Sequence, residues 1–149
     1  MRAQVQRVSR ASVTVDGAVV GRIDAGFLAY VGAQAGDTAS DAAYIADKLA
    51  NLRVFLDDAG KMNRSILEAG GSILLVSAFS LLADARQGRR PSFIAAAPPE
   101  EATALLLLVE QSLRGTGIRV ETGQFRAHML VESVNDGPIC IPLDSRKLF

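Results

Sequence analysis

Two-residue alternation of apolar and polar positions opens the chain. Ala3 and Val5 fall on one side of residues 2–8 and Gln4 and Gln6 on the other, and Ala11, Val13 and Val15 resume the same period. Asp16-Gly17 is a hairpin signal, and Ala18-Val19-Val20 returns from it, so an antiparallel meander is expected to end near Ala25-Gly26. Residues 27–33 are a nearly continuous apolar run, as expected for a central strand covered on both faces.

The period then changes. Ala42, Ile45, Ala46, Leu49 and Leu52 recur at helical spacing, which predicts a helix over residues 40–51 capped by Asp37 or Thr38. Residues 53–56 read as a short strand, 57–61 as a turn, and 62–68 as a short strand or ordered loop ending at Gly70-Gly71. Residues 72–82 read as a second central strand in which Ser77 and Ser80 interrupt the apolar run. Buried hydroxyls need partners, so these two either bond nearby backbone or line a site. Pro98-Pro99-Glu100-Glu101 opens a helix that runs through Leu105, Leu106, Leu107, Leu108, Val109 and Leu113 to about Arg114, where Gly115 and Gly117 close it. It suits a core or an interface. Strands follow over 118–121, 129–134 and 139–143. The expected fold is one α+β domain over residues 1–149: a strongly curved, mostly antiparallel, barrel-like sheet with helices packed on one side.

Composition narrows the function classes. A chain of 149 residues with 49% apolar and 21% charged side chains can bury a full core. Sixteen basic and sixteen acidic residues cancel, so contact with a polyanion requires a local patch. Arg86, Arg89 and Arg90 around Gly88 form the most basic stretch, suited to phosphate or simply to solvent. The single cysteine fits a reducing cytoplasm, and no apolar run is long enough for a membrane helix. One His and one Cys fall short of the four Cys and His ligands of a structural zinc site, so none is expected from this chain alone. There is no Gly-rich phosphate loop and no nucleophile elbow. Asp57-Asp58 reads as a solvated loop, His128 as structural, and Cys140 as a small packed residue, since nothing nearby lowers its thiol pKa.

Between the last two apolar runs stands Asn135-Asp136-Gly137-Pro138. As a turn it fits an ordinary hairpin, but Gly-Pro is also a candidate cis bond that would aim two successive carbonyls the same way.

The segments 1–13, Asp47-Lys48, 51–55, Gly60-Lys61-Met62-Asn63, 88–93, Glu121-Thr122-Gly123 and Asn135-Asp136-Gly137-Pro138 together resemble the D-aminoacyl-tRNA deacylases, in order and over nearly the whole chain. The resemblance implies a cytoplasmic homodimer with active sites at the subunit interface. It also implies hydrolysis of the ester joining a D-amino acid, or glycine, to the terminal adenosine of tRNA, without metal or organic cofactor. Gly137-Pro138 matches the family's element that reaches into the partner subunit, accepts from the α-amino group and excludes L side chains. Arg7, otherwise a solvated strand charge, matches the arginine that holds that turn, with Asn135 and Cys140 in support. Ser77-Ala78-Phe79-Ser80-Leu81 matches the family's Ser-Gln-Phe-Thr-Leu. Backbone N–H groups at Phe79 and Ser80 would serve the oxyanion, Phe79 would pack on the adenosine, and Ala78 and Met129 would contact substrate. Arg86, Arg89 and Arg90 would meet tRNA phosphates.

Three positions depart from that pattern: Ala78 replaces Gln, Ser80 replaces Thr, and Cys140 replaces Thr. Ser80 keeps a hydroxyl, while the changes at Ala78 and Cys140 sustain an alternative, a divergent paralogue that binds tRNA ends with weak or no deacylation. A Cys140 thiol hydrolase is a third option.

Overall fold

The computed structural model describes residues 1–149. Its frame is one long strand, β1 (Arg2–Val15), flanked on both sides. Along one edge its first half pairs antiparallel with β3 (Gly26–Gly32) and its second half with β2 (Ala18–Ile23). Along the other edge lies β8 (Leu130–Asp144), antiparallel over almost its whole length. The sheet continues from β3 to β6 (Ser72–Ser77) and β7 (Arg119–Thr122), both steps parallel. A ribbon of β4 (Phe55–Leu56) and β5 (Met62–Arg64) stands apart from it.

The parallel steps follow from the helices. Parallel neighbours need a crossover, and α1 (Ala39–Asn51) lies between β3 and β6 while α3 (Pro99–Gly115) lies between β6 and β7. The expectation of an antiparallel sheet therefore holds for the β1 pairings, while the centre is parallel. Phe27, Leu28, Ala29, Ile73 and Leu74 there are fully buried, consistent with cover on both faces.

One face of the sheet, with Ala3, Val5, Phe27, Ile73 and Val120, packs against Ile45, Leu49, Val109 and Leu113 of the helices. The opposite face carries Val8, Val13, Ile23, Leu28, Leu74 and Val76, around which the sheet curls into a nearly closed barrel. Gly21 allows that closure: a Cβ there would stand 2.5 Å from the Thr122 carbonyl oxygen, so only glycine lets β2 press against β7.

Three local expectations change. Ser65 and Glu68 form a reciprocal capping box, which turns Ile66–Ala69 into a short helix, α2, where a strand or loop is expected. The second central strand ends at Ser77, and Phe79–Leu82 is a 3₁₀ turn. The third concerns Asn135-Asp136-Gly137-Pro138, which is no hairpin. The runs on either side belong to one strand, β8, and keep the same partner: Asn135 pairs with Val8 and Cys140 with Gln6. Asp136, Gly137, Pro138 and Ile139 loop out opposite Arg7 as a wide bulge.

Candidate active site

The C-terminal end of β6 opens into a cavity of about 890 Å³ lined mainly by apolar side chains. Gly32 of β3 sets its floor: a Cβ there would lie 2.6 Å from the Ala78 carbonyl oxygen. That close approach lets Ala78 donate its N–H to the Val31 carbonyl at 2.9 Å and so brings the chain round into the 3₁₀ turn. Leu81 N–H then donates to the Ala78 carbonyl at 3.2 Å. Phe79 and Ser80 are the first two residues of that turn, where backbone N–H groups find no acceptor within the helix. Both residues line the cavity.

The walls are aromatic. Phe79 is 62% exposed and meets Phe93 edge to face, with ring centroids 5.0 Å apart and planes at 69°. Phe125, Tyr30 and Met129 complete the surround. Burial pushes the Tyr30 phenol above its ordinary pKa, so at neutral pH it keeps its proton.

Ser77, Ala78, Phe79, Ser80 and Met129, named from the sequence, thus share one wall. Sequence reasoning missed Tyr30, Phe125, Arg126 and the site position of His128. The expectation of a structural histidine is corrected: His128 is exposed at the cavity and makes no hydrogen bond. Its loop, Gln124 to Met129, lies between β7 and β8 and carries no periodicity from which its direction follows. Arg126 in that loop has φ of 62°, an unusual conformation for a residue with a side chain.

Gly137, Pro138, Arg7, Asn135 and Cys140 form a second cluster, on the β8 bulge, and none of them lines the cavity. The Gly137–Pro138 peptide is cis. Two braces hold the bulge. Arg7, 7% exposed, donates from Nε to the Asp136 carbonyl at 3.1 Å and from Nη1 to the Val54 carbonyl. Asn135 closes the bulge from its base. Its Oδ1 accepts from Ile139 N–H at 2.8 Å, and its Nδ2 donates to the Ile139 carbonyl and the Cys140 sulfur, each at 3.2 Å. Cys140 is exposed, against the expectation of a packed residue. Gly137 and Pro138 are exposed at the tip.

The arginine stretch divides. Arg86 is committed to Asp84 through Nε at 2.9 Å and Nη2 at 2.6 Å, and these bonds hold the Asp84 carboxyl well below the usual carboxylate range. Arg89 and Arg90 are exposed and make no ion pair.

The model of the D-Tyr-tRNA(Tyr) deacylase family matches residues 4–144. A D-aminoacyl-tRNA deacylase of Anaeromyxobacter dehalogenans is 60% identical over 149 residues, covering 100% of both chains. Another, from Thermomicrobium roseum, is 57% identical and covers 99% of this chain and 96% of its own. A solved structure of a c-Myc DNA unwinding element binding protein superposes with a TM-score of 0.91 at 38% identity, covering 97% of this chain and 98% of that one. A probable eukaryotic D-amino acid tRNA deacylase shares the fold, with a TM-score of 0.78 at 17% identity over 95% of this chain and 98% of its own.

Proposed function

The chain belongs to the D-Tyr-tRNA(Tyr) deacylase family and is a D-aminoacyl-tRNA deacylase; from that premise we propose that the ester is cleaved in the cavity at the end of β6, between two copies of the chain. The observation that carries this reading is the 3₁₀ turn, whose first two residues, Phe79 and Ser80, line a cavity with aromatic walls and have backbone N–H groups with no acceptor in the turn. An ester carbonyl becoming tetrahedral develops negative charge, and fixed backbone donors stabilise it without reorganisation. Adenine, as an unpaired base, stacks on the exposed ring of Phe79. No side-chain nucleophile is assigned. The 2′-hydroxyl of the terminal ribose, adjacent to the ester, assists the attack of water.

Selectivity comes from the β8 bulge of the second copy. Gly137 and Pro138 lie off the cavity wall of their own chain, so a role in substrate choice requires them to enter a neighbour's cavity. There the carbonyls of Gly137 and Pro138 accept from the α-ammonium and leave no room for an L side chain. Glycine, with no side chain to clash, passes the same filter, so glycyl-tRNA mischarged on tRNA-Ala is also a substrate. β8 pairs only with β1, and its side chains Leu130 and Val134 are exposed, apolar surface consistent with burial in a homodimer. Arg89 and Arg90 contact tRNA phosphates farther along the acceptor arm.

The chain has no helix long and apolar enough to cross a membrane, and a role in translation quality control puts it in the cytoplasm. A deacylation assay on matched D-aminoacyl-, L-aminoacyl- and glycyl-tRNA tests the reading. D-aminoacyl- and glycyl-tRNA are hydrolysed and the L form survives. A folded dimer that binds all three and releases no amino acid would favour instead a protein that only holds tRNA ends.

A further inference from the structure

The cavity wall contains no carboxylate. Its only residues able to carry positive charge are Arg126 and His128, both from the loop between β7 and β8 and both exposed. Seven of the thirteen arginines form ion pairs: Arg2 with Asp144, Arg7 with Asp136, Arg64 with Asp58, Arg86 with Asp84, Arg114 with Glu110, Arg119 with Glu121 and Arg146 with Asp37. Arg126 and His128 make no ion pair and no side-chain hydrogen bond. A cation left free at the wall of a largely apolar cavity without carboxylates has one evident use, an anionic group on the ligand that enters. The backbone supports the same conclusion. Arg126 sits at φ 62° while Ala127 N–H donates to the Gln124 carbonyl at 3.2 Å, so a tight turn sets a long basic side chain where glycine would be less strained.

We infer that Arg126 and His128 bind the internucleotide phosphate immediately 5′ of the terminal adenosine, fixing the register of the single-stranded acceptor end while Phe79 holds its base. This assignment rests on the reading of the cavity as an acceptor-end site. It concerns a backbone phosphate, so it adds affinity for any tRNA without selecting among them. The two residues position substrate and take no part in bond breaking.

The test measures binding and hydrolysis separately. A 5′-fluorescein-labelled CCA trinucleotide is titrated with the homogeneous protein over a range of KCl concentrations, with Arg126→Gly, His128→Gln and the double variant alongside. Arg126→Gly suits the left-handed backbone and keeps the loop folded, which an unchanged or higher melting temperature verifies. Each single variant is expected to bind roughly 3–10-fold more weakly, and complete loss of the one phosphate contact in the double variant lowers the slope of log affinity against log salt by about 0.7. In hydrolysis of D-aminoacyl-tRNA the variants raise KM and leave kcat in place. With 3′-O-(D-aminoacyl)adenosine, which has no phosphate, they match the parent protein. Equal trinucleotide affinities and salt slopes in all four proteins would overturn the assignment, as would equal losses on the phosphate-free substrate. A parent protein that binds the trinucleotide with these differences and hydrolyses neither substrate would leave the phosphate contact standing and defeat the deacylase site instead.

Discussion

Arg7 of β1 donates from Nε to the backbone carbonyl of Asp136, 3.1 Å away in the β8 bulge, and lies 3.4 Å from the same residue's carboxylate. That carboxylate is 61% exposed, so the ion pair adds little and the carbonyl contacts hold the bulge. Arg7→Ala leaves the Asp136 and Val54 carbonyls without this donor and is expected to cost about 1.5–3 kcal/mol in urea denaturation. Arg7→Lys keeps the charge but loses the planar fork, so it recovers only part of that stability. Deacylation should fall further than stability does. A variant with parental stability and turnover would remove Arg7 from the brace.

The same residue shows where the chain was readable and where it was not. Alternation identified the faces of β1 because Ala3 and Val5 are buried on one core and no long-range partner is needed to see it. The helical period of Ala42, Ile45 and Leu49 was equally local, and these residues are buried in α1. The course of the chain through Asn135-Asp136-Gly137-Pro138 was not local. Four turn-forming residues between two apolar runs fit a reversal and a bulge equally, and only the pairing of both runs with β1 decides between them. The end of β6 was similarly hidden, since the approach of Ala78 to Gly32 stops a run that reads as continuous strand. Of the candidate site, the Ser77-to-Ser80 wall was legible through resemblance. The loop carrying Phe125, Arg126 and His128 was not, because its position depends on how the sheet curls.

Asn135 and Cys140 give the second prediction. Asn135→Ala removes the acceptor for Ile139 N–H and is expected to cost about 0.5–1.5 kcal/mol, with hydrolysis of L-aminoacyl-tRNA rising as the bulge loosens. Cys140→Thr replaces a weak sulfur acceptor 3.2 Å from Asn135 Nδ2 with a hydroxyl, and stability should hold or rise by up to about 1 kcal/mol. Cys140→Ser retains turnover. Loss of turnover in that variant would make the thiol a nucleophile.

Acid stability gives the third. Asp41 of α1 accepts from the Ser145 hydroxyl at 2.6 Å and from Thr38 N–H through its other oxygen at 2.8 Å. The Ser145 bond is the largest cause of a carboxyl pKa lowered to about 2. The unfolded value is about 3.9, so the folded state holds fewer protons between the two values. This contribution is fully present above about pH 4 and is lost as pH falls towards about 2. Asp41→Asn should therefore melt lower than the parent at pH 7, with the gap narrowing in melts taken down to pH 2. A gap independent of pH would assign the loss to packing.

Ala78 gives the fourth prediction, on the chemistry itself. Its N–H is already spent on Val31 and its carbonyl on Leu81, so the residue offers the substrate only a methyl group. Gln at this position would add an amide at the cavity wall without touching either backbone bond. One hydrogen bond of about 0.5–1.5 kcal/mol, made in the transition state, corresponds to roughly a 3–10-fold gain in kcat/KM. Ala78→Gln is thus expected to accelerate D-aminoacyl-tRNA hydrolysis by that amount, measured under single-turnover conditions. Phe79→Ala is the counterpart. It keeps the backbone N–H at the same place but removes the ring facing Phe93, so KM should rise by about 5–100-fold while kcat changes little. A fall in kcat for Phe79→Ala as large as the rise in KM would mean that the ring positions the reacting ester as well as the base. A gain of several hundredfold from Ala78→Gln would mean that the parent is chiefly a binding protein, whereas a modest gain places its catalytic power in the backbone of Phe79 and Ser80.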